Sequence, residues 1–277
     1  MRGVMVLAAT RTVWRLYRES TSSRIIRAID LLRELGAFAV ITLGVTLTKF
    51  HTAKRVVHPL IYLQVWRAGV RLLAMVTFIA AALGLVIVGQ TVSLLTRVGA
   101  QEYIGTVMVT VVMRELGPLL TAVLVLARAG TTNVVELGMS RALGEVEALE
   151  AMGIDTVHYL VMPRVIGLGA SVFCLATYMV VITLGCGWLF AFLQDVPLTM
   201  ATYFSQLSEA LRWQDFVLFA LKALSFGIII AVVSCYHGLA RPLKVEELSG
   251  VTARAVVESV VGCVLLDAVF IVAYLFV

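Results

Sequence analysis

Four ionisable residues of this chain stand where almost nothing else is charged. Arg114 and Glu115 lie side by side in one apolar run, Lys222 sits alone in a second, and Asp267 stands in the middle of a third that carries Glu258 near its start. A lone charge near the centre of a bilayer costs about 2.5–3.5 kcal/mol on insertion scales, so such residues persist when paired or when they face a cavity. Adjacent helical residues point about 100° apart, which makes a mutual Arg114–Glu115 bond awkward and sends each to a partner on another helix. Two pairings are open, Lys222 with Asp267 or Glu115 with Lys222. Such pairs either fix helix packing only, or gate a path or hold a polar headgroup. A proton relay is not indicated, because no chain of His, Asp and Glu lines one apolar run.

A second group offers contact rather than reaction. The segment Glu136 to Pro163 is acidic, amphipathic and closed by Gly153 and Pro163. Met139, Leu143, Val146, Leu149 and Met152 recur at three- and four-residue spacing, which predicts one stripe of a helix over 136–153. Glu145, Glu147 and Glu150 face elsewhere. A helix of soluble character in so apolar a chain needs a surface to dock on.

The elements that position these groups are membrane spans. The 277 residues are 61% hydrophobic and 14% charged, with a mean hydropathy of +0.99, too few charges to coat a soluble globule of that length. Leu72 to Leu95 and Val165 to Leu193 are free of charge and longer than the roughly 20 residues needed to cross about 30 Å of hydrocarbon. Three further runs complete an all-α integral membrane protein of five spans, at 72–95, 103–127, 165–193, 216–240 and 256–277. The stretch Leu35 to Thr48 is too short to span and suits an interfacial or re-entrant piece.

Charge bias orients the spans. Residues 1–34 carry seven arginines, and residues 49–71 carry Lys49, Lys54, Arg55, Arg67 and Arg71. Keeping both blocks on one side, as the positive-inside rule demands, makes 1–71 a basic interfacial or re-entrant region. The N-terminus and the loops 128–164 and 241–255 are then cytoplasmic and the C-terminus is outside. Of the 22 Lys and Arg residues, 18 fall inside. Within the first 34 residues, Arg11, Trp14, Arg15 and Arg18 with Val13, Leu16 and Tyr17 suit a basic amphipathic helix on the anionic inner leaflet.

Other chemistry is absent from the sequence. Cys174, Cys186, Cys235 and Cys263 fall in apolar runs as small hydrophobes, and no cysteine or histidine set has metal-ligand spacing. There is no G-x-x-x-x-G-K-[ST] phosphate loop, dinucleotide turn or nucleophile constellation. Uphill transport by this chain would draw on an ion gradient or on a partner.

The residues do resemble a family. Glu147-Ala148, Gly153 and Pro163 follow the order of the EAA-type coupling loop of ABC permeases. Arg114-Glu115-Leu116-Gly117-Pro118, Ala127-Arg128-Ala129-Gly130, Glu136-Leu137-Gly138, Ala148-Leu149-Glu150-Ala151-Met152-Gly153-Ile154-Asp155 and Pro163-Arg164 resemble the MlaE/YrbE-type permeases of MCE-linked lipid transporters. The likeness is densest over 103–170 and continues through Lys222 and Asp267.

That resemblance implies a single permease domain over 1–277 in the bacterial inner membrane, paired as a homodimer. It implies two ATPase subunits on the cytoplasmic side and a hexameric MCE protein on the periplasmic side, with phospholipid or a related hydrophobic molecule as cargo. No cofactor is implied in this chain, since ATP and magnesium belong to the ATPase, and no nucleic acid is involved. The coupling helix would engage the ATPase through Met139, Leu143, Glu145, Val146, Glu147, Leu149, Glu150 and Met152. Ile87, Leu94, Leu95 and Val98 match lipid-contacting positions, and Arg114, Glu115, Lys222 and Asp267 match a buried polar cluster. Two departures stand out. Leu143-Gly144-Glu145 replaces the family's common Thr-Glu-Gln, which removes an acidic group, weakens a continuous helix by about 1 kcal/mol relative to Ala, and shifts the contact to Glu145 or Glu147. Asp155 is followed by Thr156 rather than Pro. Two other classes stay open: an ion-coupled secondary carrier using Arg114, Glu115, Lys222 and Asp267, and a scaffold that anchors a cytoplasmic partner.

Overall fold

Uncharged runs become long helices because a bilayer satisfies no backbone polar group, leaving the helix to satisfy its own. The computed structural model describes residues 33–46, 48, 54–193, 199–239 and 245–276. The basic amphipathic helix expected around Arg11 to Arg18 lies outside them. Residues 33–46 form α1. Five helices are long and apolar enough to cross a membrane: α2 (Val57–Val98), α3 (Gln101–Ala142), α5 (Val157–Leu189), α7 (Trp213–Leu239) and α8 (Val245–Tyr274). Between them lie two short helices, α4 (Glu145–Ala151) and α6 (Met200–Ala210). No strand occurs among the described residues, and the protein is an all-α membrane protein.

The spans outrun the apolar stretches that mark them. At 42 residues each, α2 and α3 are about 63 Å long, twice the hydrocarbon thickness. The added length of α2 reaches back from Leu72 to Val57, where Val57, Gln64 and Ala68 are buried while Arg67 and Arg71 stay exposed. An amphipathic extension of this kind has no hydropathy signal. The same end of the molecule receives the loop between α3 and α5 and the start of α8, so most of the described Lys and Arg gather there, at what is hereafter the basic end. The short helix α1 meets this end too, with Phe38 edge-on to Tyr236 near the end of α7 at 5.8 Å and Tyr236 Oη donating to Glu34.

Helix α5 is the central post. Its Leu168, Val172, Leu175 and Met179 join Leu72 and Val76 of α2, Val125 of α3 and Phe226 and Ile230 of α7 in one core. Its Ala176 and Val180 enter a second core with Val88, Val92, Ile104, Met108 and Phe219. Glycine sets how closely the spans approach. A Cβ on Gly227 of α7 would lie 2.6 Å from Gly169 Cα of α5, and one on Gly187 would lie 2.3 Å from Val88 Cβ. Small residues at such crossings let backbones pack, the main source of attraction between helices when lipid is as apolar as they are. Helix α6 closes the end opposite the basic one, where a Cβ on Gly105 would sit 2.3 Å from the Gln206 carbonyl oxygen. Tyr203 of α6 is fully buried and donates to Leu184 O at 3.4 Å. Burial pushes its hydroxyl pKa up to about 12, so it stays neutral. The spans least covered by the rest of the chain are α2 and α8.

Candidate functional site

A proline begins the site. Pro118 follows the wide helical turn Val109–Leu116 and has no N–H to give the carbonyl four residues back, which is that of Arg114. In hydrocarbon a freed carbonyl needs another donor. Lys222 of α7 supplies it: Nζ donates to Arg114 O at 2.7 Å and to Glu115 Oε2 at 3.0 Å, and lies 2.6 Å from Asp267 Oδ1 of α8 as an ion pair. Its side chain is fully buried. Three helices are thereby tied at one ammonium, which meets both carboxylates that the sequence offered as alternatives. Lys222 lies nine positions after Trp213, hence about 14 Å inside that helix end.

Arg114 points elsewhere. Its guanidinium pairs with Asp215 at 2.9 Å and lies 5.0 Å from the centre of the Tyr274 ring. Asp215 is buried in the first turn of α7 and also accepts from Arg212 N at 3.0 Å. The expected cluster of Arg114, Glu115, Lys222 and Asp267 is therefore two adjoining networks, joined through the backbone of residues 114 and 115. Asp215 was missed because an acid at a helix start reads as a cap. The wide turn lets neighbouring side chains leave in two directions, as such π-helical insertions do at many functional sites.

A recess runs along α2. It encloses 530 Å³ and is lined by Leu85, Val86, Gly89, Gln90, Ser93, Leu94 and Arg97, all on one face of that helix. Of the four positions carried over by resemblance, Leu94 lines it. Val98 lies exposed one turn beyond, Ile87 is half-buried, and Leu95 is half-buried against the second core. Gln90, Ser93 and Arg97 were missed in the sequence, where the only signal is polar residues at helical spacing near the end of an apolar run. A recess walled by a single helix invites a second copy or a lipid to complete it.

The acidic segment is two helices, not one. Gly144 has φ of +75°, a left-handed conformation that side chains disfavour, and it separates α3 from α4. Gly153, also at +75°, ends α4: Ile154 N donates to Leu149 O and Gly153 N to Glu150 O, both at 3.0 Å, a Schellman closure. The single apolar stripe predicted over 136–153 is broken accordingly. Val146 turns inward and is buried, Met139 and Leu149 are half-buried, and Leu143 and Met152 are about two-thirds exposed. Glu145, Glu147 and Glu150 are exposed. Arg141 of α3 reaches Glu147 at 3.2 Å and Glu150 at 3.8 Å, clamping α4 to the span. Asp155 Oδ1 accepts from Val157 N at 3.1 Å and His158 N at 3.3 Å, capping the start of α5.

The break reverses the sign expected for Gly144. In a continuous helix Ala would be better than Gly, but at a left-handed residue Ala is strained by about 1–2 kcal/mol. Gly144→Ala is expected to lower thermal stability in detergent, and a rise would place the residue inside a helix after all.

No group of three His, Cys, Asp or Glu able to hold a metal occurs among the described residues. Comparison with known proteins gives the following likenesses. The family model described as Permease MlaE matches residues 61–273. A probable ABC transporter permease protein of Rickettsia bellii is 29% identical over 236 residues, 84% of this chain and 89% of that protein. The protein TRIGALACTOSYLDIACYLGLYCEROL 1, chloroplastic, of Arabidopsis thaliana is 32% identical over 213 residues, 74% of this chain and 59% of that one. The intermembrane phospholipid transport system permease protein MlaE of Haemophilus influenzae is 25% identical over 234 residues, 84% of this chain and 88% of that protein.

Proposed function

The chain belongs to the MlaE permease family, and from that membership we propose that it is the membrane subunit of an ATP-driven transporter for phospholipid or a related hydrophobic lipid. The cargo passes between the inner membrane and a periplasmic MCE partner. ATP is hydrolysed by two copies of a separate ATPase held at the basic end, which faces the cytoplasm. Two copies of this chain meet along α2, and their recesses join into one pocket for acyl chains, with Gln90, Ser93 and Arg97 toward the headgroup.

The observation that carries this reading is α4. It is clamped to α3 by Arg141, yet it leaves Leu143, Glu145 and Met152 facing outward. A rigidly held helix with an uncovered apolar and acidic surface transmits force from whatever grips it. Force on α4 passes into α3, and α3 carries Glu115 to the Lys222 knot in the half of the membrane that also holds the recess. The knot itself serves as a helix lock: the Lys222 ammonium donates to the Arg114 carbonyl and to Glu115 and is ion-paired with Asp267, so its charge is taken up in holding three helices together.

Reconstitution of the chain with its ATPase and MCE partners tests the reading. Leu143→Glu with Met152→Glu alters only exposed side chains, so the subunit is expected to insert and dimerise normally while lipid-stimulated ATP turnover falls about tenfold or more, equivalent to roughly 1.4 kcal/mol of lost coupling. Turnover equal to wild type would remove α4 as the coupling element. Lipid movement by the chain alone under a pH gradient would replace the proposal with an ion-coupled carrier.

A further inference from the structure

A second pocket lies at the basic end, away from the recess, the Lys222 knot and α4. It encloses 290 Å³ between α2 and α3, with Arg67, Arg71, Arg128, Asn133 and Glu136 among its lining. Its charges do not balance. Glu136 is already held by Arg67 at 3.0 Å and by Arg164 of α5 at 3.3 Å, whereas Arg71 and Arg128 have no carboxylate within ion-pair distance among the described residues.

The floor of the pocket is built and polar. Asn133 is 2% exposed, and its Oδ1 accepts from the Gln64 amide at 3.1 Å while its Nδ2 has no acceptor among the described residues. Gln64 is itself 8% exposed and packed so closely on α5 that a Cβ on Gly167 would lie 2.7 Å from it. Together these side chains hold a buried amide donor beneath two unpaired guanidinium groups. Planar guanidinium forks match the oxygens of a phosphate, and an amide N–H adds a further donor.

Depth identifies the phosphate's source. Arg71 immediately precedes the uncharged run Leu72 to Leu95, and Arg128 immediately follows Tyr103 to Ala127. Because α2 and α3 are antiparallel, the two arginines mark one level, where hydrocarbon gives way to headgroups. We propose that this pocket binds the phosphate of an anionic phospholipid in the leaflet at the basic end, seating the glycerol backbone against α2 and α3. Two unpaired cations favour a lipid with net negative charge over a zwitterion. The assignment requires neither a transport direction nor the ATPase, so its failure would leave the proposed transport function standing.

The test uses the full chain in nanodiscs of phosphatidylcholine with a minor share of phosphatidylglycerol, and counts lipids retained on release into a mass spectrometer. Wild type is expected to keep phosphatidylglycerol selectively. Arg71→Gln with Arg128→Gln is expected to weaken that retention about tenfold, or roughly 1.4 kcal/mol. Arg254, exposed at the same end and outside the pocket lining, provides the control. Retention unchanged in Arg254→Gln but reduced in Arg71→Gln supports the pocket, and an equal loss in both attributes it to general surface charge and overturns the proposal. Undiminished retention in the double variant overturns it too. Added inorganic phosphate separates the sources: displacement of phosphatidylglycerol from wild type assigns the site to a soluble oxyanion and overturns the lipid, and resistance supports it.

Discussion

Lys222→Met is expected to be the most damaging single substitution in this protein. Methionine fills the same volume but leaves Glu115, Asp267 and the Arg114 carbonyl without their shared cation, in a layer where solvent cannot replace it. Breaking a buried ion pair by removing one partner costs about 3–5 kcal/mol, because the other charge stays buried. Thermal denaturation in detergent, followed by the monodisperse fraction after heating, measures the effect. The cause is separable from lost packing. Adding Glu115→Gln and Asp267→Asn to Lys222→Met removes the stranded charges and is expected to recover much of the loss. Asp267→Asn alone is expected to be milder, since Lys222 keeps Glu115 and the carbonyl. Lys222→Met melting with wild type would show that the knot holds nothing together.

The second large effect lies at the crossing of α5 and α7. A Cβ on Gly227 would stand 2.6 Å from Gly169 Cα and 2.7 Å from the Leu168 carbonyl oxygen, and backbone atoms cannot rotate aside. Gly227→Ala is therefore expected to force the helices apart at a cost of about 1–3 kcal/mol, and bulkier residues more. Lys222 lies on the same helix five positions earlier, so the displacement draws its ammonium away from Glu115 and lowers transport beyond what the stability loss explains. The partner glycine supplies an internal comparison. A Cβ on Gly169 meets nothing closer than 3.9 Å, so Gly169→Ala is expected to melt close to wild type. Equal effects at the two positions would mean that the crossing is not as tight as its geometry.

Much of the architecture was legible in the residues. Five apolar runs correspond to the five helices among the described residues that are long and apolar enough to span. Hydropathy did not show how far the helices run past the apolar stretches, because residues 57–71 of α2 and 128–142 of α3 are amphipathic and are held by packing. The break at Gly144 was visible as a departure from the family, but its conformation was not, since glycine is compatible with both a weak helix and a left-handed turn. Asp215 was hidden because its chemistry at a helix start is ambiguous until Arg114 is seen beside it. The polar pocket at Asn133 had no linear signature at all: its residues come from α2 and α3, about 60 positions apart, and each alone is an ordinary residue at a membrane boundary.

The residues by themselves determined how many runs are long and apolar enough to cross a bilayer, which flanks carry the positive charge, and that no phosphate-loop motif is present. Those properties depend on the identity of residues along a line, through transfer energies that hold wherever the segment lies. Tertiary structure alone decided which charges meet. Arg114 and Glu115 are neighbours in sequence, yet one binds Asp215 and the other Lys222. Their directions depend on a wide helical turn, a carbonyl freed by Pro118, and helix rotations set by contacts such as Gly227 on Gly169. A few ångströms of helix approach choose the partner, and no one-dimensional pattern contains that distance.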